Sequence, residues 1–271
     1  MTITVNKYPL LYKILENAKW KGTDDFPADE LWASEHEKWL EFVISKNQLN
    51  RFLPRLTKQD SRKKDEAFAE INSAYFLEAI QGFPISEWEP TGVGRSKGDF
   101  LLNVNSIFIF CEVKSPGWEA EIISSQGFMT PRLSLPKYIN GEVKGVDNSI
   151  AIRNAIDKDY KDLSSDKPTL LIFNDDLWFS VFNEISVSDS ENLPLSIYRA
   201  LYYEPLPPPY TDTKPTGYFK TDLYKHLSGI LFLNVINNGQ IRYKYAIFEN
   251  HMALNKLPNE MIQIGIGEYT A

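Results

Sequence analysis

GDFLLNVNSIFIFCEVKSPGW, residues 98–118, decides the fold. Two apolar runs flank the polar tetrapeptide NVNS, and such runs, rich in branched and aromatic residues, read as the arms of a β-hairpin. With the turn centred on Asn105 and Ser106, pairing carried outward residue by residue sets Asp99 opposite Glu112. Side chains alternate along a strand, so Glu112 and Lys114 share one face while Cys111 and Val113 point to the other. An acid, a second acid and an amine are thus expected at one end of the hairpin. A slip of one residue turns a whole strand over and removes the constellation.

The flanking sequence supplies the rest of an α/β fold. Upstream, KKDEAFAEINSAYFLEAIQGF spaces Ala67, Ile71, Ala74 and Leu77 or Glu78 at helical intervals, with Gly82 as the stop and Glu70 beside the apolar stripe. WEPTGVGRSKG then reads as a glycine-rich loop. Downstream, residues 115–148 read as a long irregular loop of the kind that forms a binding flap. NSIAIRNAIDKDYKDL follows as an amphipathic helix and PTLLIFNDD as a buried strand. Strand, crossover helix and strand imply parallel pairing of 107–113 with 169–174, hence a central mixed sheet. GILFLNVINNGQIRYKYAIFEN reads as a further hairpin turning at Asn238 and Gly239. At the N-terminus, DDFPADELWASEHEKWLEFVISKN carries Asp and Pro start signals and helical spacing of Leu31, Trp32, Trp39, Leu40, Phe42 and Val43. The chain therefore divides into a helical N-terminal extension, 1–60, and an α/β domain, 61–271, packed as one unit. EPLPPPYTDTKPTG, 204–217, reads as an extended surface loop.

Composition narrows the function. The chain has 271 residues, 43% of them hydrophobic, which suffices for an ordinary core. One cysteine, Cys111, excludes a disulfide framework and a thiolate metal cluster, and MTITVNKYPL has no secretory pattern; a cytoplasmic protein is expected. No apolar run approaches the roughly 20 residues of a membrane span. A net charge of -7 speaks against binding nucleic acid through the overall field, yet leaves room for a local basic cleft or for bound cations. The basic stretch RLTKQDSRKK, 55–64, is a candidate phosphate contact, or else a solvated helix approach.

Two carboxylates one strand apart, with an open side, suit a hard divalent cation that keeps several waters. An amine on the same face can orient or deprotonate an attacking water. Cleavage of a phosphodiester requires these functions together. At these residues the chain resembles the PD-(D/E)xK nuclease superfamily: Asp99 in GDF, a gap of twelve residues, then Glu112-Val113-Lys114 as E-x-K, with Glu70 on the preceding helix. The resemblance covers about residues 66–175. It implies a restriction-endonuclease-like fold and magnesium- or manganese-dependent hydrolysis of nucleic acid, DNA before RNA. Asp99, Glu112 and the backbone carbonyl of Val113 are its implied metal ligands, Lys114 serves the water, and Glu70 assists. Lys158 or Lys161 of the crossover helix, where many members carry glutamine, would touch phosphate, with Arg95 and Lys97 as further backbone contacts. Glycine stands at position 98 in place of the family's proline. A homodimer is allowed for.

Other readings compete. Glu112 and Lys114 could be an ordinary exposed pair on an edge strand, with Asp99 merely opening its strand. A fold of this kind could also serve as an inactive module that binds nucleic acid or protein, and PLPPPY could be a docking segment. His36, His226 and His251 lack ligand spacing, and no G-x-S-x-G sequence marks a nucleophilic serine. GVGRSKG lacks the spacing of a phosphate-binding loop.

Overall fold

The structure, a computed structural model, describes residues 7–17, 30–58, 61–92, 97–115, 156, 166–174, 201–202, 217–237 and 239–271. Seven strands form one open mixed sheet in chain order: β1 (Ile85–Trp88), β2 (Phe100–Val104), β3 (Ile107–Lys114), β4 (Thr169–Asn174), β5 (Gly229–Asn237), β6 (Ile241–Glu249) and β7 (Ile266–Thr270). The middle three, β3, β4 and β5, run parallel, and antiparallel neighbours close both sides. The expected pairing of β3 with β4 is therefore present. So is the hairpin β5–β6, with Gly239 at φ 90° in its turn.

The β2–β3 hairpin has the anticipated register, from Val104↔Ile107 at the turn to Phe100↔Cys111. Asn105 and Ser106 take φ of 49° and 69°. Two successive left-handed residues make the type of two-residue turn whose twist matches the strands it joins. Asn103 Oδ1 accepts from the Ser106 N–H at 2.9 Å, which secures the turn from its own strand. β3 lies between β2 and β4, so the edge-strand reading of Glu112 and Lys114 does not hold.

Alternation along the strands divides the core into two clusters, one on each face. Phe100, Leu102, Ile109, Cys111 and Val113 join Leu170, Ile172, Leu231 and Leu233 in the cluster that also takes in the helices. Leu101, Phe110, Leu171, Phe173, Ile230 and Phe232 fall in the other. Glu112 and Lys114 follow Phe110 in this alternation. Each fully buried large side chain contributes about 1.5–3 kcal/mol relative to exposure.

The helical layer consists of α1 (Pro9–Asn17), α2 (Glu30–Ser45), α3 (Leu49–Leu56) and α4 (Ser61–Tyr75), with a short α5 (Asn259–Ile262) near the C-terminus. α4 runs on through a π-helical turn, Phe76–Ile80, and ends at Gly82, whose φ of 77° favours glycine. Buried Ala67, Ile71, Ala74 and Leu77 confirm the apolar face read from the sequence. In α2, Trp32, Trp39, Leu40 and Val43 are buried as the spacing required, whereas Leu31 is exposed. The N-terminal helices share the main core cluster with the sheet. Among the described residues no helix is long and apolar enough to cross a membrane.

Strand β1 falls in a stretch whose alternation is too short to show: four residues, half-buried at each end. It pairs with β2 irregularly, shifting between Ile85 and Glu87. The proposed flap, the proline-rich loop and all of the crossover helix except Ile156 lie outside the described residues.

A buried polar link joins the helical layer to β6. The Tyr243 hydroxyl accepts from Trp39 Nε1 at 2.6 Å and donates to Glu35, whose other oxygen accepts from Lys38 at 2.9 Å. Burial, then the Glu35 charge, holds the Tyr243 hydroxyl well above its ordinary pKa, so it stays a donor. Tyr243→Phe leaves a buried carboxylate and an indole N–H short of a partner, and a loss of about 2–4 kcal/mol is expected in urea denaturation.

Candidate functional site

Asp99 sits one residue outside the paired part of β2, at a bend. Its N–H donates to the Cys111 carbonyl at 3.0 Å, and its carbonyl accepts from the Glu89 N–H at 3.0 Å and from Arg51 Nη1 at 2.9 Å. The ladder thus ends at Phe100↔Cys111, and Asp99 is not paired with Glu112 through the backbone. Instead its carboxylate turns onto β3, where Oδ2 accepts from the Val113 N–H at 2.7 Å. The bend aims an acid at the end of β3, which regular continuation of the strand would not do.

Gly98 makes this bend possible. A Cβ built there would lie 2.5 Å from the tip of the Phe110 ring and 3.1 Å from the Cys111 carbonyl oxygen. Phe110 is 2% exposed and has little room to yield. The glycine that stands where the superfamily's name has proline is therefore required by a ring packed against the backbone.

Asp99 is enclosed, with 16% of its side chain exposed. Burial, then the charges of Glu70 and Glu112, push its carboxyl well above the usual range, against the opposing pull of the Val113 N–H and Arg51. Both acids act on Asp99 through their charge. Glu112 and Lys114, 20% and 26% exposed, form an ion pair at 2.7 Å. Val113 lies between them, buried on the helical side.

Glu70 is 8% exposed on α4, not solvated as an acid beside an apolar stripe usually is. Two arginines of α3 explain its burial. Arg55 grips both of its oxygens, Nη2 to Oε2 at 2.7 Å, and Arg51 Nη2 reaches Oε2 at 3.0 Å. The hydrogen bond that Arg55 donates to Glu70 raises its guanidinium above its already high value, so its charge is permanent. The same Arg51 nitrogen is 3.4 Å from Asp99 Oδ1. Arg51 lies over the rings of Phe52 and Trp88, its central carbon 5.0 and 5.3 Å from their centroids. Of these arginines, only Arg55, the first residue of the basic stretch 55–64, was anticipated. The available signal was their i, i+4 spacing in LNRFLPRL, which places two cations on one helical face.

Lys97 is exposed and reaches Glu89 at 3.6 Å, on the approach to Arg51, whose Nε is 3.8 Å from Glu89. Arg95, Lys158 and Lys161 lie outside the described residues, as do Asp175 and Asp176. Cys111 is fully buried, and burial pushes its thiol well up, so it is an inert apolar residue. His36 is packed among Trp32, Trp39 and Phe68, with Nδ1 2.8 Å from the Trp32 carbonyl.

The donors at Asp99 and Glu112 are hard oxygens, and Asp99 is mostly enclosed, with 16% of its side chain exposed. That chemistry fits magnesium or manganese, which one or two protein carboxylates and several waters commonly hold. Among the described residues, no three or more His, Cys, Asp or Glu side chains are grouped to cage a metal. Comparison with family models, with curated proteins and with solved structures finds no match to this chain.

Gly98→Ala has to displace either Phe110 or the Asp99 bend. It is expected to cost about 1–3 kcal/mol in thermal or urea unfolding. Gly82→Ala, with open space around its Cβ position, tests backbone strain alone.

Proposed function

We propose that the chain is a metal-dependent nuclease with a restriction-endonuclease-like fold, acting on DNA in the cytoplasm. The observation that supports this reading is that the Val113 N–H holds the Asp99 carboxylate at the end of a central strand, where the residues on either side of Val113, Glu112 and Lys114, form an ion pair. Helix α4, the hairpin β2–β3 and the parallel strand β4 stand in the order that the resemblance to the PD-(D/E)xK superfamily requires.

In this proposal Asp99, Glu112 and the Val113 carbonyl hold magnesium or manganese, which neutralises the phosphate and sharpens the acidity of a bound water. Lys114 lies 2.7 Å from Glu112, hence beside the ligand sphere. There it orients the attacking water and takes up its proton only after losing its own, or it steadies the negative charge that grows on phosphate. Its ammonium is a compact charge on a flexible stem, suited to leaving Glu112 when a metal arrives. Asp99 and Glu112 would hold the cation, which would supply the positive charge that attracts the nucleic-acid backbone. A net negative chain can act on DNA in this way because the positive potential is local.

The experiment compares cleavage of plasmid, single-stranded DNA and RNA by the wild type, Glu112→Gln and Lys114→Ala, with magnesium, with manganese and with chelator. Cleavage that needs either metal and falls at least about 100-fold in both variants is expected, with the circular dichroism of the wild type retained. Nucleic-acid binding that persists in chelator with no cleavage in either metal would identify an inactive binding module instead. Cleavage indifferent to both substitutions would remove these residues from the chemistry.

A further inference from the structure

We infer that Arg51 is the resident cation of this cluster, so that the site admits a single divalent ion at Asp99 and Glu112, with Glu70 a positioning residue and not a ligand. The inference rests on the metal-dependent reading above and adds the number of ions and the role of the helix acid.

One nitrogen of Arg51, Nη2, lies 3.0 Å from Glu70 and 3.4 Å from Asp99. It therefore bridges two carboxylates, the position a second cation would take. The guanidinium is fixed there from several sides. Nη1 donates to the Asp99 carbonyl at 2.9 Å, and the rings of Phe52 and Trp88 lie 5.0 and 5.3 Å away. Arg55 occupies both Glu70 oxygens. An ion bound by Glu70 would have to break three charge-assisted hydrogen bonds and then lie within a few ångströms of two guanidinium charges.

Glu112 presents a different obstacle. Its ion-pair partner Lys114 carries a compact ammonium on a flexible stem, 26% exposed, where Arg51 is planar and stacked. Asp99 Oδ2 meets one N–H and Oδ1 one long contact, which leaves acceptor capacity on the carboxylate for a metal.

The full-length chain is titrated with manganese while free ion is followed by electron paramagnetic resonance and heat by calorimetry. The wild type is expected to bind one ion per chain, with the spectrum of an isolated manganese. Glu112→Gln should weaken that binding at least tenfold, and Arg51→Met/Arg55→Met, which frees Glu70, should raise the count to two. Arg51→Lys, which keeps a cation in place, should leave it at one. Two ions in the wild type, or the exchange-coupled spectrum of a pair about 3.5–4 Å apart, would overturn the inference and leave the nuclease reading standing. So would a folded double arginine variant that still binds one ion with unchanged affinity. If the double variant does not fold, the wild-type count and spectrum decide. No manganese binding by the wild type, or one ion indifferent to Asp99→Asn and Glu112→Gln, would overturn the nuclease reading and this inference together.

Discussion

The turn at Asn105 and Ser106 governs everything that the site can do. Two residues with positive φ set the register of β2 against β3, and that register decides which residue meets Val113 at the far end of the hairpin. Slippage by one place would exchange the faces of Phe110 and Cys111 and carry the acid of β3 to the face of the helical core. The apolar demand on both faces of the sheet therefore enforces the position of the polar groups. Packing selects the register, and the chemistry takes advantage of it.

Beyond that register, the cluster at the strand ends is a problem in electrostatics. Asp99 is enclosed and has Glu70 and Glu112 as neighbours, so its ionised form is disfavoured by desolvation and by both acids. Folding tolerates the arrangement because α3 contributes Arg51 and Arg55 and β3 contributes Lys114. The partition is uneven: the guanidinium groups are planar and stacked or bidentate on the helical side, while the ammonium is a compact charge on a flexible stem.

Much of this was legible in the residues themselves. The hairpin, its register, the parallel neighbour and the helix bearing Glu70 follow from period and turn chemistry, because each is a local pattern or a connection with few geometric solutions. Three features were not. Strand β1 is too short for alternation to declare itself. The bend at Asp99 arises from Phe110 packing on Gly98, a contact between residues twelve apart that no periodicity encodes. Arg51 was missed because a cation on a short helix is most often solvated, and only its seat between Trp88, Phe52 and two carboxylates reveals otherwise.

The hydroxyl of Tyr243 has a reach beyond its own surroundings. It belongs to β6, four places along the sheet from β2, yet it anchors α2, and α2 leads within a few residues into the helix that carries both arginines. The guanidinium groups are thus moored, through one phenol and one indole, to strands remote from the hairpin whose acid they neutralise. Loosening at that distant mooring would be felt as a change of counter-ion at the other end of the molecule.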